Sequence, residues 1–126
     1  MSYLLDTHIW LWSAFESHRL PQGLRRELEQ NLCYVSIASI WEAQLKSSLG
    51  KLPMPIPLME LVERTEQAFA ILPINPQHVL AVGSLPSHHR DPFDRMLIAQ
   101  AITDGLQLVT VDDEIRRYDV PLCWAK

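Results

Sequence analysis

Asp6, Glu42, Asp94 and Asp112 are acids placed where carboxylates can meet. Asp6 closes the apolar run Tyr3–Asp6, and Asp112 lies just past Leu106–Val111. Glu42 falls in the second turn of a helical stretch that follows Cys33–Ser36, and Asp94 in the first turn of the apolar stretch Phe93–Thr103. Carboxylates drawn within a few ångströms of one another repel and raise each other's pKa unless a cation neutralises them. Such a cluster therefore predicts a metal. Oxygen donors, with no imidazole or thiolate demanded by the spacing, suit the hard cations Mg²⁺ or Mn²⁺, which bind phosphate oxygens and serve phosphodiester hydrolysis.

Each acid also has an ordinary explanation. Asp6 and Asp112 stand where a carboxylate caps the free N–H groups of a helix, an arrangement that stabilises by about 0.5–2 kcal/mol. Asp113, beside Asp112, leaves the register of that fourth acid open. Glu42 precedes Lys46 by four positions, the spacing of a helix-surface ion pair. Asp91-Pro92-Phe93-Asp94 resembles a capping box with Asp91 as cap and Pro92 at the first helical position. Asp91 is thereby assigned to structure, whereas Asp94, on a helix apolar nearly all round, needs a partner to offset its desolvation.

The elements that must position these acids alternate. Strands are predicted at Tyr3–Asp6, Cys33–Ser36, Ala70–Ile74, Leu106–Val111 and Pro121–Trp124. Between them fall helices: one with Ile9, Trp12 and Ser13 on one side, one from Pro21 to Gln30, and one from Ile37 marked by Ile37, Ile40, Trp41, Leu45 and Leu49 and stopped by Gly50. Further helices cover Leu58–Phe69, His78–Gly83, Phe93–Thr103, ended by Gly105, and Asp113–Tyr118. Leu52–Pro57 carries too many prolines for a helix interior and reads as a connector, and Pro73 suits an edge strand. Strands joined by helical crossovers imply an α/β fold with a parallel sheet covered on both faces. In such sheets ligands sit beyond the carboxyl ends of the strands, where strand order reverses.

The 126 residues, 48% hydrophobic, suit one compact domain spanning 1–126. No apolar run is long enough to cross a bilayer and no secretory leader is visible, which predicts a cytoplasmic protein with no membrane association. The two cysteines, Cys33 and Cys123, lie in predicted strands without metal-ligand spacing and read as buried thiols. A formal charge of −4 excludes a broad basic surface, so a nucleic acid has to be gripped locally or through a metal.

Taken in order, Leu4-Leu-Asp-Thr-His8 with Trp12, Ser36-Ile-Ala-Ser-Ile-Trp-Glu42, His89-Arg-Asp-Pro-Phe-Asp-Arg-Met-Leu-Ile-Ala-Gln-Ala101 and Leu108-Val-Thr-Val-Asp112 resemble the PIN-domain ribonucleases of the VapC toxin type along essentially the whole chain. The resemblance implies a five-stranded parallel sheet in the order 3-2-1-4-5. It also implies a homodimer, an endoribonuclease that hydrolyses RNA with metal-activated water, and a partner antitoxin whose C-terminal segment covers the groove. The family's acids fall on Asp6, Glu42, Asp94 and, more variably, Asp112, and its small hydroxyl near the metal on Thr110. Ser36 is a candidate to orient Glu42 or a metal-bound water.

Arg90, Arg95 and Lys46 flank the acids and are candidates for phosphate contacts, against ordinary ion pairing. His88 and His89 could bind metal or phosphate, but as neighbours in a polar loop they read as solvent-facing, and His8 as free either to ligate or to pack on the sheet. Core packing is expected for at least two of Trp10, Trp12, Trp41 and Trp124. An aspartyl-phosphate phosphatase needs an acid two residues after Asp6, where His8 stands, and a receiver domain needs an aspartate after the third strand, where Leu72-Pro-Ile-Asn75 stands. The remaining alternative is a catalytically inactive PIN-fold module that binds RNA or an antitoxin.

Overall fold

The computed structural model describes residues 1–126. Five parallel strands form one sheet: β1 (Ser2–Leu5), β2 (Leu32–Ser36), β3 (Ala70–Leu72), β4 (Gln107–Thr110) and β5 (Leu122–Trp124), in the order β3-β2-β1-β4-β5. The connections carry the helices α1 (Thr7–Phe15), α2 (Gln22–Glu29), α3 (Ile37–Ser48), α4 (Leu58–Ala68), α5 (Pro76–Val82) and α6 (Pro92–Asp104). No helix is long and apolar enough to cross a membrane.

Alternation along the strands divides the core in two. Tyr3 and Leu5 of β1, with Cys33, Val35 and Val109, pack against Ile9, Trp10 and Leu61 on one face, while Leu4 and Leu108 pack against Leu97, Ile98 and Ala101 on the other. Leu4, Leu5, Leu97, Ile98 and Leu108 are fully buried, each stabilising by roughly 1.5–3 kcal/mol relative to exposure. As the apolar pattern predicts, α6 is deeply buried, from Phe93 to Ala101, and it stops at Gly105, whose φ of +67° is the left-handed conformation that favours glycine.

Several boundaries move from their expected places. β3 ends at Leu72 because Pro73 offers no N–H to the ladder, and it lies at the sheet edge. β4 and β5 are each shorter than the apolar runs that mark them. α5 starts at Pro76 rather than His78, since Asn75 caps it and His78 returns the bond in a capping box. The expected helix from Asp113 to Tyr118 is a single 3₁₀ turn, Ile115–Arg117. Cys33 is buried, but Cys123, on an edge strand, is only half-buried. Of the tryptophans, Trp10 is fully buried with its indole N–H on Thr65 Oγ1 at 3.0 Å, Trp12 is partly buried beside it, and Trp41 is 59% exposed.

The largest departure is the face that α3 buries. Ile37, Trp41, Leu45 and Leu49, whose spacing marks the helix, are exposed, whereas Ala38, Ser39, Glu42 and Ala43 point inward. Small residues allow α3 to approach the sheet closely, and they carry a glutamate inside with them.

Candidate active site

β1 and β4 are neighbours at the centre of the sheet, and the chain leaves them toward opposite sides, so a crevice opens beyond their carboxyl ends. Asp6 is the first residue past β1 and the N-cap of α1. Its Oδ1 accepts the Ile9 N–H at 2.8 Å and its Oδ2 accepts the Thr110 hydroxyl at 2.5 Å, so capping and a place in the crevice are both realised. Burial pushes its carboxyl above the usual range, against the pull of Thr110, the Ile9 N–H and His8, and the charge of Asp112 adds to the rise.

Glu42 is 3% exposed. Its Oε1 accepts the Thr7 hydroxyl at 2.6 Å, and the Thr7 oxygen lies 3.0 Å from the Ser39 hydroxyl, so a chain of two hydroxyls fixes the carboxylate. The other oxygen, Oε2, takes the Lys46 ammonium at 2.5 Å. The expected Glu42–Lys46 pair therefore forms, but with one partner inside rather than on the surface. Hydrogen bonding to Glu42 raises the Lys46 pKa, with Asp91 and Asp94 contributing further.

Asp91 caps α6 through the N–H groups of Phe93 and Asp94, both at 2.9 Å. Asp94 turns its carboxyl toward His89, with Oδ2 3.3 Å from Nε2. Its pKa is pushed up to about 8, first by burial and then by the charges of Asp91, Asp112, Glu42 and Asp6. Four carboxylates from four separate chain segments thus act on one side chain. Asp112 caps the following turn through the Glu114 N–H at 2.8 Å, and its own N–H donates to Thr110 Oγ1 at 3.0 Å. Asp113 points out, 83% exposed and 3.7 Å from Arg116, whereas Asp112 is the one of the two whose charge acts on Asp6 and Asp94.

Other candidates are placed differently from expectation. Ser36 gives its hydroxyl proton to Gln100 Oε1 at 2.6 Å and accepts the Ala38 N–H, so it caps α3 and does not reach Glu42. Arg95 is tied to the carbonyls of Pro86 and Val82 and to the Tyr118 hydroxyl, which leaves it as a clamp on the preceding loop rather than a free phosphate ligand. Arg90 is exposed and enters no ion pair or hydrogen bond, and Lys46 is engaged with Glu42. His89 is turned inward, its side chain 13% exposed, and His88 stands edge-on to Tyr118; His8 is exposed. Thr7, Ser39 and Tyr118 lie beside the acids or their partners and escaped sequence reasoning, and His89, expected to face solvent, is turned inward instead. A signal existed for Ser39, which stands three positions before Glu42 on the same helix face.

No three Asp, Glu, His or Cys side chains are pre-arranged around a single cation-sized point. Each acid is instead held by protein donors, with Lys46 filling part of the charge deficit. The donor chemistry nonetheless fits a hard divalent cation: the donors are carboxylate oxygens, and the Asp94 carboxyl, raised first by burial and then by the neighbouring acids, would be favoured in its charged form by a cation beside it. A cavity of about 470 Å³ lies elsewhere, between α1, α2 and α4, lined by Trp10, Phe15, Leu28, Leu61 and Phe69 among others and by none of these acids.

A family model described as the PIN domain matches residues 3–121. The chain is similar to a protein named Ribonuclease VapC22 from Mycobacterium tuberculosis, 28% identical over 120 residues, or 94% of this chain and 92% of that one. Among solved structures it resembles VapBC2 from Rickettsia felis bound to a DNA fragment from their promoter, with a TM-score of 0.76, 19% identity and full coverage of both chains. It also resembles DNA-bound VapBC from Salmonella typhimurium, with a TM-score of 0.75, 17% identity and coverage of 100% of this chain and 99% of that one. These two likenesses establish the fold.

Proposed function

The chain belongs to the PIN-domain family, and on that premise we propose that it is a divalent-cation-dependent endoribonuclease, the toxin of a VapBC-type toxin-antitoxin pair. The observation that carries the chemistry is where the acids stand: Asp6 just past β1 and Asp112 just past β4 are both bonded to Thr110, Glu42 is buried on α3, and Asp94 lies in the first turn of α6. Asp6, Glu42, Asp94 and Asp112 would hold the cation, Mg²⁺ or Mn²⁺. When bound, it supplies Lewis-acid polarisation of a phosphoryl group and acidifies water for attack on phosphorus.

The chain's own residues set the stage for that chemistry. Thr110 and the Ile9 N–H orient both oxygens of Asp6, and Thr7 with Ser39 orients one oxygen of Glu42. The geometry is held by central strands and helix starts rather than by a mobile loop, which is how a site keeps its reacting groups aligned. Lys46 and exposed Arg90 offer local positive charge to an RNA phosphate on a protein whose net charge is −4. A homodimer belongs to the same reading, with the exposed apolar row Ile37, Trp41, Leu45 and Leu49 as its surface. So does a protein antitoxin, in keeping with the VapBC complexes that share the fold.

The test is cleavage of RNA by purified protein with Mg²⁺ or Mn²⁺, with sequencing of the ends, beside Asp6→Asn and an EDTA control. Cleavage that needs the cation and disappears in Asp6→Asn supports the reading. Cleavage indifferent to both, or none in the wild type, overturns it, the latter in favour of a binding module without catalysis. A short reading frame for a DNA-binding antitoxin immediately upstream would support the toxin assignment.

A further inference from the structure

Two arginines hold three carbonyls at the end of α5 and in the loop before α6. Arg95 holds the carbonyls of Val82 and Pro86 at 3.2 and 2.8 Å, and Arg117 holds the carbonyl of His88 at 2.9 Å. All of this meets at Tyr118, which is 4% exposed and has the rings of His88 and His89 set edge-on against it.

Counting hydrogens at Tyr118 fixes the state of His89. The phenol oxygen accepts from Arg95 at 3.0 Å and from the His89 backbone N–H at 3.3 Å. With both acceptor sites taken, its own proton goes to His89 Nδ1, 2.8 Å away. Nδ1 is then the acceptor of the ring, and the ring hydrogen sits on Nε2, which faces Asp94 Oδ2 at 3.3 Å. A directed chain therefore runs from Arg95 through Tyr118 and His89 to one oxygen of Asp94. The other oxygen remains available to the crevice.

Resting on the nuclease reading above, we propose that His89 is a positioning residue: by donating from Nε2 to Asp94 Oδ2 it holds that carboxylate in the orientation needed to bind the divalent cation, with Tyr118 and Arg95 selecting its tautomer. Such outer partners of ligating carboxylates typically change metal affinity or activity by about 10–100-fold when removed. A surface ion pair would do nothing of the kind, and the burial of both side chains, at 13% and 16% exposure, separates the two cases.

The experiment compares wild type with His89→Ala, His89→Gln and Tyr118→Phe by calorimetric titration with Mn²⁺ alone, thermal melting, and the Michaelis constant for RNA at saturating cation. The expected result is Mn²⁺ binding weakened about tenfold or more in His89→Ala, less in Tyr118→Phe, and partly restored in His89→Gln, whose amide can still donate. The RNA Michaelis constant should not change. Nitrogen NMR of the metal-free wild type should show His89 as the Nε2–H tautomer, with Tyr118→Phe shifting it toward a mixture. If His89→Ala melts below the assay temperature, the two volume-conserving variants carry the same comparison. Wild-type Mn²⁺ affinity in the His89 variants and in Tyr118→Phe overturns the proposal and leaves the nuclease reading standing; no Mn²⁺ binding by the wild type overturns both.

Discussion

Asp6 and Thr110, 104 positions apart in sequence, are joined by a 2.5 Å hydrogen bond beyond the ends of two adjacent parallel strands. The strand register brings them together: Leu5 pairs with Val109, so the next residue of each chain segment stands side by side. The Asp6 N–H donating to the Val109 carbonyl at 3.0 Å continues the ladder by one rung.

Asp6→Asn and Asp94→Asn should each lower RNA cleavage by about 100-fold or more while preserving the circular dichroism spectrum, since either change removes a carboxylate from the proposed cation site. Asparagine can still cap α1 at position 6, so the fold has no reason to fail there. Retained cleavage in both variants would sink the site.

The elevated pKa of Asp94 makes the cation-free protein sensitive to pH. Its folded value, about 8, lies above the unfolded value of about 3.9. The stabilisation from its bound proton is therefore complete below about pH 4 and is lost as pH rises through 8. Buried Asp6, also raised, acts with the same sign. In EDTA the melting temperature should fall between about pH 5 and 9, and Mg²⁺ or Mn²⁺ should restore it most at the alkaline end. Melting curves across that range check both signs, and Asp94→Asn should flatten the slope.

Thr7→Val should leave the Ser39 hydroxyl and one oxygen of Glu42 without their buried partner, at a cost of about 1–3 kcal/mol in stability. Activity should fall by about tenfold or more, because Glu42 is then steered by Lys46 alone. Denaturant unfolding and cleavage rates measure the two effects separately. A stable, fully active Thr7→Val would show that the hydroxyl chain does not orient the glutamate.

Leu45→Glu tests the exposed row on α3. Leu45 is 42% exposed and flanked on the same helix by Trp41 and Leu49, each 59% exposed. Placing a charge there should shift a homodimer toward monomer in sedimentation velocity without lowering the melting temperature of the folded chain at low concentration. A sedimentation coefficient unchanged from that of a dimeric wild type would place the dimer surface elsewhere.

The fold was open to reading because its signals are local. Apolar runs closed by acids mark the central strands, Gly105 and Pro73 mark stops, and the nearly all-round apolar character of Phe93–Thr103 marks the buried helix. The order of strands came from family resemblance, not from pattern. The inward face of α3 was illegible because its strongest apolar residues face out, and its buried ones are small or polar. Position in the primary structure likewise hid the states of His89 and Arg95, since both depend on Tyr118, at least 23 residues further along the chain. The acids themselves were visible by type, but Thr7 and Ser39 acquire meaning only once α1 and α3 pack together.

The central pairing of β1 with β4 has a consequence for how the protein is made. The sheet's middle joins segments whose ends, Asp6 and Thr110, lie 104 positions apart, so a growing polypeptide holding β1, β2 and β3 still lacks Thr110 and Asp112. The crevice, and with it the proposed cation site, is assembled only after β4 has been made and has paired with β1.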